Sequence, residues 1–165
     1  MQRLVLLIIL TAPLLLHAQV NYGTPNGTEA LPDKFNGLRR AIDLAHFPST
    51  NHPVEEDGTY YWKHATSVLC NESPLEVIEY GAYLFYNGKW NLRKSYPLEE
   101  LQATFGIRKN KMQQAQPYTW TDNWRVGNDL FGGWAMWYFI GMTTDGEKVY
   151  GYATIETTDQ LLTSK

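Results

Sequence analysis

A single cysteine, Cys70, stands among the 165 residues, so no disulfide can close within the chain and cohesion must come from packing. Its neighbours Val68 and Leu69 read as the surroundings of a buried, inert thiol rather than of a nucleophile based by His64. Charge of one sign is also scarce in any one place. Fourteen basic and 17 acidic residues leave a net charge of −3, and no Lys/Arg run is longer than the two residues of Arg39-Arg40. That excludes the basic footprint of phosphate-backbone binding, and with it nucleic acid as a partner. Gly127, Gly132 and Gly133 lack the Gly-Lys-Ser/Thr ending of a phosphate-binding loop and read as hinges ahead of a strand.

Long apolar runs are missing except at the start. Arg3 precedes apolar residues 4–16, interrupted only by Thr11 and Pro13 and closing on Leu16-His17-Ala18 before Gln19. A run of this length covers roughly 20 Å of a hydrocarbon layer about 30 Å thick, too little for a stable membrane anchor, whereas the layout is that of a secretory signal peptide. The expected organisation is therefore residues 1–18 as signal peptide, 19–34 as a flexible N-terminal arm rich in Gly and Pro, and 35–165 as one α+β domain. The expected location is secreted or periplasmic.

Turn chemistry carries most of the fold expectation. Asn87-Gly88 is a type I′ turn pair, so the flanking strands should pair Phe85 with Trp90, Tyr83 with Leu92, Leu84 with Asn91 and Ala82 with Arg93. Asp145-Gly146, read the same way, pairs Met142 with Val149, Ile140 with Gly151, Tyr138 with Ala153 and Met136 with Ile155. It leaves Phe139, Trp137 and Gly141 facing Tyr152, Thr154 and Tyr150 on the other face. Leu38, Ile42 and Ala45 recur at helical spacing, predicting a helix over 35–45 that is followed by a polar loop over 46–58. Pro97, Glu99 and Gly106 frame a second short helix burying Leu98, Leu101 and Phe105. With strands over 59–69 and 118–126, the expectation is an α+β fold: an antiparallel sheet with short helices packed on one side. An α-β-β-β unit used twice is one reading of that order, resting on an offset of 58 that carries Tyr60 onto Tyr118, Trp62 onto Trp120 and Gly88 onto Gly146.

Candidate chemistry is thin. His46, His52 and His64 lack ligand spacing and a completing Cys or carboxylate motif, so no metal and no cofactor is expected. Carboxylates cluster at Glu55-Glu56-Asp57, Glu76 with Glu79, and Glu99-Glu100, and a pair roughly 5 to 9 Å apart could hydrolyse a glycosidic bond. Each has an ordinary explanation in a turn or at a helix start.

Aromatic content is what stands out, with 6 Trp, 11 Tyr and 6 Phe. On a continuous strand from residue 118, period two places Trp120, Asp122 and Trp124 on one face, and Trp137, Tyr150 and Tyr152 line the apolar face of the second hairpin. Flat π surfaces around an acceptor suit a protein or glycan surface. The expected function is a secreted or periplasmic, non-catalytic binding module using these six residues. The alternative is a small exported hydrolase of cell-envelope or extracellular polysaccharide using loop carboxylates. If residues 1–18 are a signal peptide, the native protein begins at or near Gln19; mass spectrometry that finds Met1 retained refutes this.

Overall fold

The computed structural model describes residues 21–162, so the signal-peptide reading lies outside the described residues. The described part of the chain is predominantly β, with 51% of the described residues in strands and 9% helical, which corrects the α+β expectation. Its strands are β1 (Arg39–Arg40), β2 (Ile42–Phe47), β3 (Thr50–Asn51), β4 (Val54–Glu56), β5 (Thr59–Trp62), β6 (Ala65–Cys70) and β7 (Leu75–Tyr86). They continue as β8 (Lys89–Ser95), β9 (Lys111–Met112), β10 (Tyr118–Trp120), β11 (Arg125–Gly127), β12 (Gly133–Thr143) and β13 (Lys148–Thr157). A large sheet has the order β1-β13-β12-β7-β8, with β3 added on β13 and β9 on β7. A second sheet is β10-β6-β2 and a third is β11-β5-β4.

The expected helix over 35–45 is absent, because the apolar positions serve a different period. After a 3-10 turn at Asp33–Phe35 and Gly37 at φ +76°, the chain is extended. Ile42 and His46 are buried and Leu44 half-buried on one face of β2, while Asp43 and Phe47 point outward. Alternation therefore wins over the i, i+4 coincidence of Leu38, Ile42 and Ala45. The α-β-β-β unit is not repeated, since β2 occupies the place of its first helix. The loop expected over 46–58 instead holds β3 and β4, and Asp57-Gly58, both at positive φ, turns β4 into β5. The frame from Pro97 to Gly106 is real: a 3-10 turn at Leu98–Glu100 runs into one α-helical turn at Leu101–Thr104, and Gly106 stops it at φ +75°. Leu101 and Phe105 are buried there.

The Asn87-Gly88 turn has both residues at positive φ and sets the expected register for Phe85, Tyr83 and Leu84. A bulge next to Tyr83 then passes Arg93 over, so Ala82 faces Lys94 instead. The second hairpin is one residue out of the expected register. Thr143 and Glu147 close a three-residue loop, Gly146 sits at φ +86°, and Ile140 pairs with Tyr150, Tyr138 with Tyr152 and Met136 with Thr154. A slip of one exchanges faces, so Trp137, paired with Ala153, and Phe139, paired with Gly151, point one way while Tyr150 and Tyr152 point the other.

Each face has its own cover. Toward the second sheet, Tyr80, Phe139, Val77 and Val149 pack with Ile42, Val68, Cys70 and Tyr118, and the helical turn adds Leu101 and Phe105. On the opposite face Tyr83, Met136, Tyr138 and Ile140 are covered by Leu31, Phe35 and Leu38, with the Phe35 ring stacked 4.8 Å from that of Tyr150. The two layers meet most closely at Gly151, where a Cβ would stand 1.9 Å from the Ile42 carbonyl oxygen and 2.6 Å from its carbon. Gly151→Ala therefore should cost about 3 kcal/mol or more, because backbone must move. Gly146→Ala, in open space but at positive φ, should cost only about 1 kcal/mol. Equal losses in denaturant midpoint would refute this crossing.

Candidate functional site

The long strands expected over 59–69 and 118–126 are each broken, and the breaks build the site. β5 pairs with β4 and β11, whereas β6, two residues on, pairs with β2 and β10. The chain turns at Lys63-His64 and again at Thr121-Asp122, so Trp120 and Trp124 are not on one strand face and the expected platform around Asp122 does not form. Trp120 is half-buried, edge-on to Phe105, Trp137 and Tyr96. Asp122 is exposed in the turn. Trp124, 41% exposed, stands edge-on to Tyr61 with the Lys63 ammonium 4.9 Å from its ring centroid. Trp137 is only 4% exposed and stacks on Tyr96. Tyr150 and Tyr152 stack on Phe35 on the far side of the large sheet, and Arg40 lies over the Tyr152 ring.

Trp120, Trp124 and Trp137 nevertheless meet where the three sheets join. They line a recess of about 100 Å³ with Tyr96, Arg93, Arg125, His64 and Asn123 among its other walls. Trp137 and Trp120 supply an apolar wall, Trp124 reaches the mouth, and among the described residues no Asp or Glu is on the lining. Arg125, the first residue of β11, packs its guanidinium 3.5 Å from the Phe131 ring centroid, and its Nη1 lies 3.5 Å from Thr157 Oγ1. Burial, and then the nearby Arg93 charge, push its pKa down to about 10.

Under the recess lies a buried polar chain that the sequence did not reveal, since its members come from β2, β3, β6 and the turn before β11. Asn123 Nδ2 donates to Thr66 Oγ1 over 2.8 Å. Thr66 Oγ1 is 2.9 Å from His46 Nδ1, and His46 Nε2 is 3.3 Å from the Ala153 carbonyl oxygen. Because a carbonyl can only accept, Nε2 carries the proton and Thr66 donates to Nδ1. His64 stands beside this chain, its ring centroid 5.8 Å from that of His46. Its Nδ1 is 3.2 Å from both Asn51 Nδ2 and the Trp62 carbonyl oxygen, and its Nε2 is buried without a hydrogen-bond partner. The signal available in sequence was the alternation of Ile42, Leu44 and His46, which turns His46 inward.

The other candidate groups lie elsewhere. His52 is 2.8 Å from Thr158 Oγ1, and Cys70 Sγ donates to the Gln113 carbonyl with burial pushing the thiol pKa up. Glu56 pairs with Lys63, and Glu79 accepts from Lys34, Tyr138 and Ser95, so the carboxylate pairs of the sequence do not converge on the recess. A separate open groove of about 470 Å³ brings Glu156 and Asp159 to Trp134. Among the described residues no three or more His, Cys, Asp or Glu side chains gather as metal ligands would, and no described helix is long and apolar enough to cross a membrane. No protein-family model matches the chain, and no curated protein is significantly similar to it.

The polar chain makes stability depend on pH. Burial, offset in part by the Ala153 carbonyl and reinforced by His64, lowers the His46 pKa to about 4, and burial lowers that of His64 too. An unfolded histidine titrates near 6.5, so below that pH the unfolded chain takes up protons which the fold refuses. Stability is thus fully present above about pH 6.5 and falls as pH drops toward 4, by about 2 kcal/mol between pH 7 and 5 from His46 alone. Urea titrations across that interval should show the fall, shallower in His46→Gln. A flat wild-type profile would mean that His46 is not held neutral.

Proposed function

We propose that this chain is an exported, non-catalytic module that binds a protein through the mouth of the recess and the face of the third sheet beside it. The carrying observation is a row of exposed apolar side chains. Val54, Tyr61 and Val126 are cross-strand neighbours on β4, β5 and β11, with Val54 and Val126 largely exposed, and Tyr61 leads into Trp124 at the mouth. An exposed row of this kind, ending at a partly buried indole flanked by Lys63 and Arg93, has the make-up of an interface hot spot with a polar rim.

A protein suits the site better than a glycan. At about 100 Å³ the recess has room for about three waters, which admits one compact side-chain group and not a sugar ring. The aliphatic row beside it offers nothing to sugar hydroxyls. Export is supported by the signal-peptide layout of residues 1–18. Hydrolysis is less well supported, since among the described residues no carboxylate lines the recess.

The test is capture from the chain's own extracellular or envelope fraction. Trp124→Ala should keep stability within about 1 kcal/mol and lose the captured protein, while Trp137→Ala, from the wall, should cost about 3 to 5 kcal/mol. Capture that survives Trp124→Ala, or that selects polysaccharide instead of protein, refutes the reading. So does release of reducing ends from a polysaccharide by the wild-type chain that Glu156→Gln abolishes.

A further inference from the structure

Aromatic stacking leaves two features of the recess unused. Arg93 and Arg125 both line the recess, yet among the described residues no carboxylate pairs with either guanidinium. Arg125 has one long contact, to Thr157, for its five N–H groups. The second feature is His64, 7% exposed, which lines the recess with a buried Nε2 that has no partner. Buried polar atoms are nearly always satisfied, and an orphan on a residue that borders a pocket calls for a group to complete it.

We propose that the recess takes a carboxylate of the bound protein, an Asp or Glu side chain or a chain-terminal carboxylate, held by the Arg125 and Arg93 guanidinium groups over the His64 ring. This rests on the protein-binding reading and names the group recognised. A planar guanidinium matches two carboxylate oxygens through paired N–H donors, and its Phe131 stack holds Arg125 in one orientation. A carboxylate between the two arginines also relieves their mutual repulsion. The third donor comes from His64. With Asn51 Nδ2 donating to Nδ1, the neutral ring carries its proton on Nε2, the atom that has no partner; an anion reaching that edge of the ring selects this tautomer over the one in which Nδ1 donates to the Trp62 carbonyl. The volume agrees, since a carboxylate with its methylene fits about 100 Å³. Among the described residues no Asp or Glu is on the lining, so the carboxylate proposed here is the partner's.

The experiment is a 15N–1H NMR titration of the protein, in the form in which it is isolated from the expressing cell, with N-acetylglutamate N-methylamide, which offers a side-chain carboxylate, and N-acetylglycine, which offers a terminal one. N-acetylglutamine N-methylamide and inorganic phosphate are the comparisons. Either carboxylate should give saturable shifts of the recess indole N–H signals with Kd in the millimolar range, roughly what so small a ligand can reach, and the tighter of the two identifies the source. Bound His64 should shift toward its Nε2–H form, a signature that packing alone would not move. Arg125→Gln should abolish binding. Should that variant fail to fold, Arg93→Gln, at an exposed position, should still weaken binding about tenfold. The proposal is overturned if neither carboxylate saturates, if the neutral amide binds as well, if phosphate binds more tightly than both, or if Arg93→Gln binds like wild type. Loss of protein capture in Trp124→Ala without carboxylate binding would leave the binding surface standing and remove only this assignment.

Discussion

The crossing of β2 over β13 is the constraint on which the rest of the structure depends. β1 runs parallel to β13 at the edge of the large sheet, Ala41 N donates to the Tyr150 carbonyl, and at Ile42 the chain leaves that edge and passes over Gly151. No side chain fits between them. That close approach turns β2 inward as the edge of the second sheet, brings Ile42 onto Phe139 and Val149, and sets the depth at which β6 and β10 pack. It also places His46 under Ala153, so one backbone contact positions both the apolar core and the first member of the buried polar chain.

That polar chain has an energetic cost, and its position shows how the cost is met. His46, His64, Asn51, Thr66 and Asn123 are all buried where the three sheets join, at a corner that apolar side chains from three directions would have to fill. Hydrogen bonds satisfy each of them except His64 Nε2, and neutral imidazoles avoid the far larger cost of buried charge. The opposite arrangement holds on the outer face, where Glu79 keeps its charge because Lys34, Tyr138 and Ser95 all reach it. Burial raises its pKa, and those donors more than offset the rise.

Most of the aromatic residues that make the composition unusual are structural. Trp62 is sealed against Phe131 and donates to the Thr158 carbonyl, Tyr80 and Phe139 form the centre of the core, and Tyr150 and Tyr152 are stacked on Phe35. Few rings are exposed: Phe47 and Tyr22 away from the recess, and Trp124 at its mouth beside the half-buried Tyr61, with Trp120 and Trp137 as the wall behind them. The richness of rings near one another in sequence therefore says little about which of them a partner can reach. That depends on where the strands break.

Local chemistry was legible from residues alone. The Asn87-Gly88 turn requires positive φ twice and sets its own register, and Pro97 with Gly106 brackets a helical turn whatever surrounds it. Such features depend on dihedral preferences and neighbours within a few residues. The period over 35–45 was ambiguous for the converse reason: Leu38, Ile42 and Ala45 fit a helix, and only the crossing at Gly151 selects the alternation that buries Ile42 and His46. The second hairpin hinged on one residue, because Asp145-Gly146 supports a two-residue turn or a three-residue loop, and packing of Trp137 and Phe139 against the second sheet selects the latter. The recess was legible only as a list of aromatic residues. Its histidine, His64, its two arginines and its asparagine come from three segments separated by about 30 residues each, and only sheet pairing across those distances brings them to one recess.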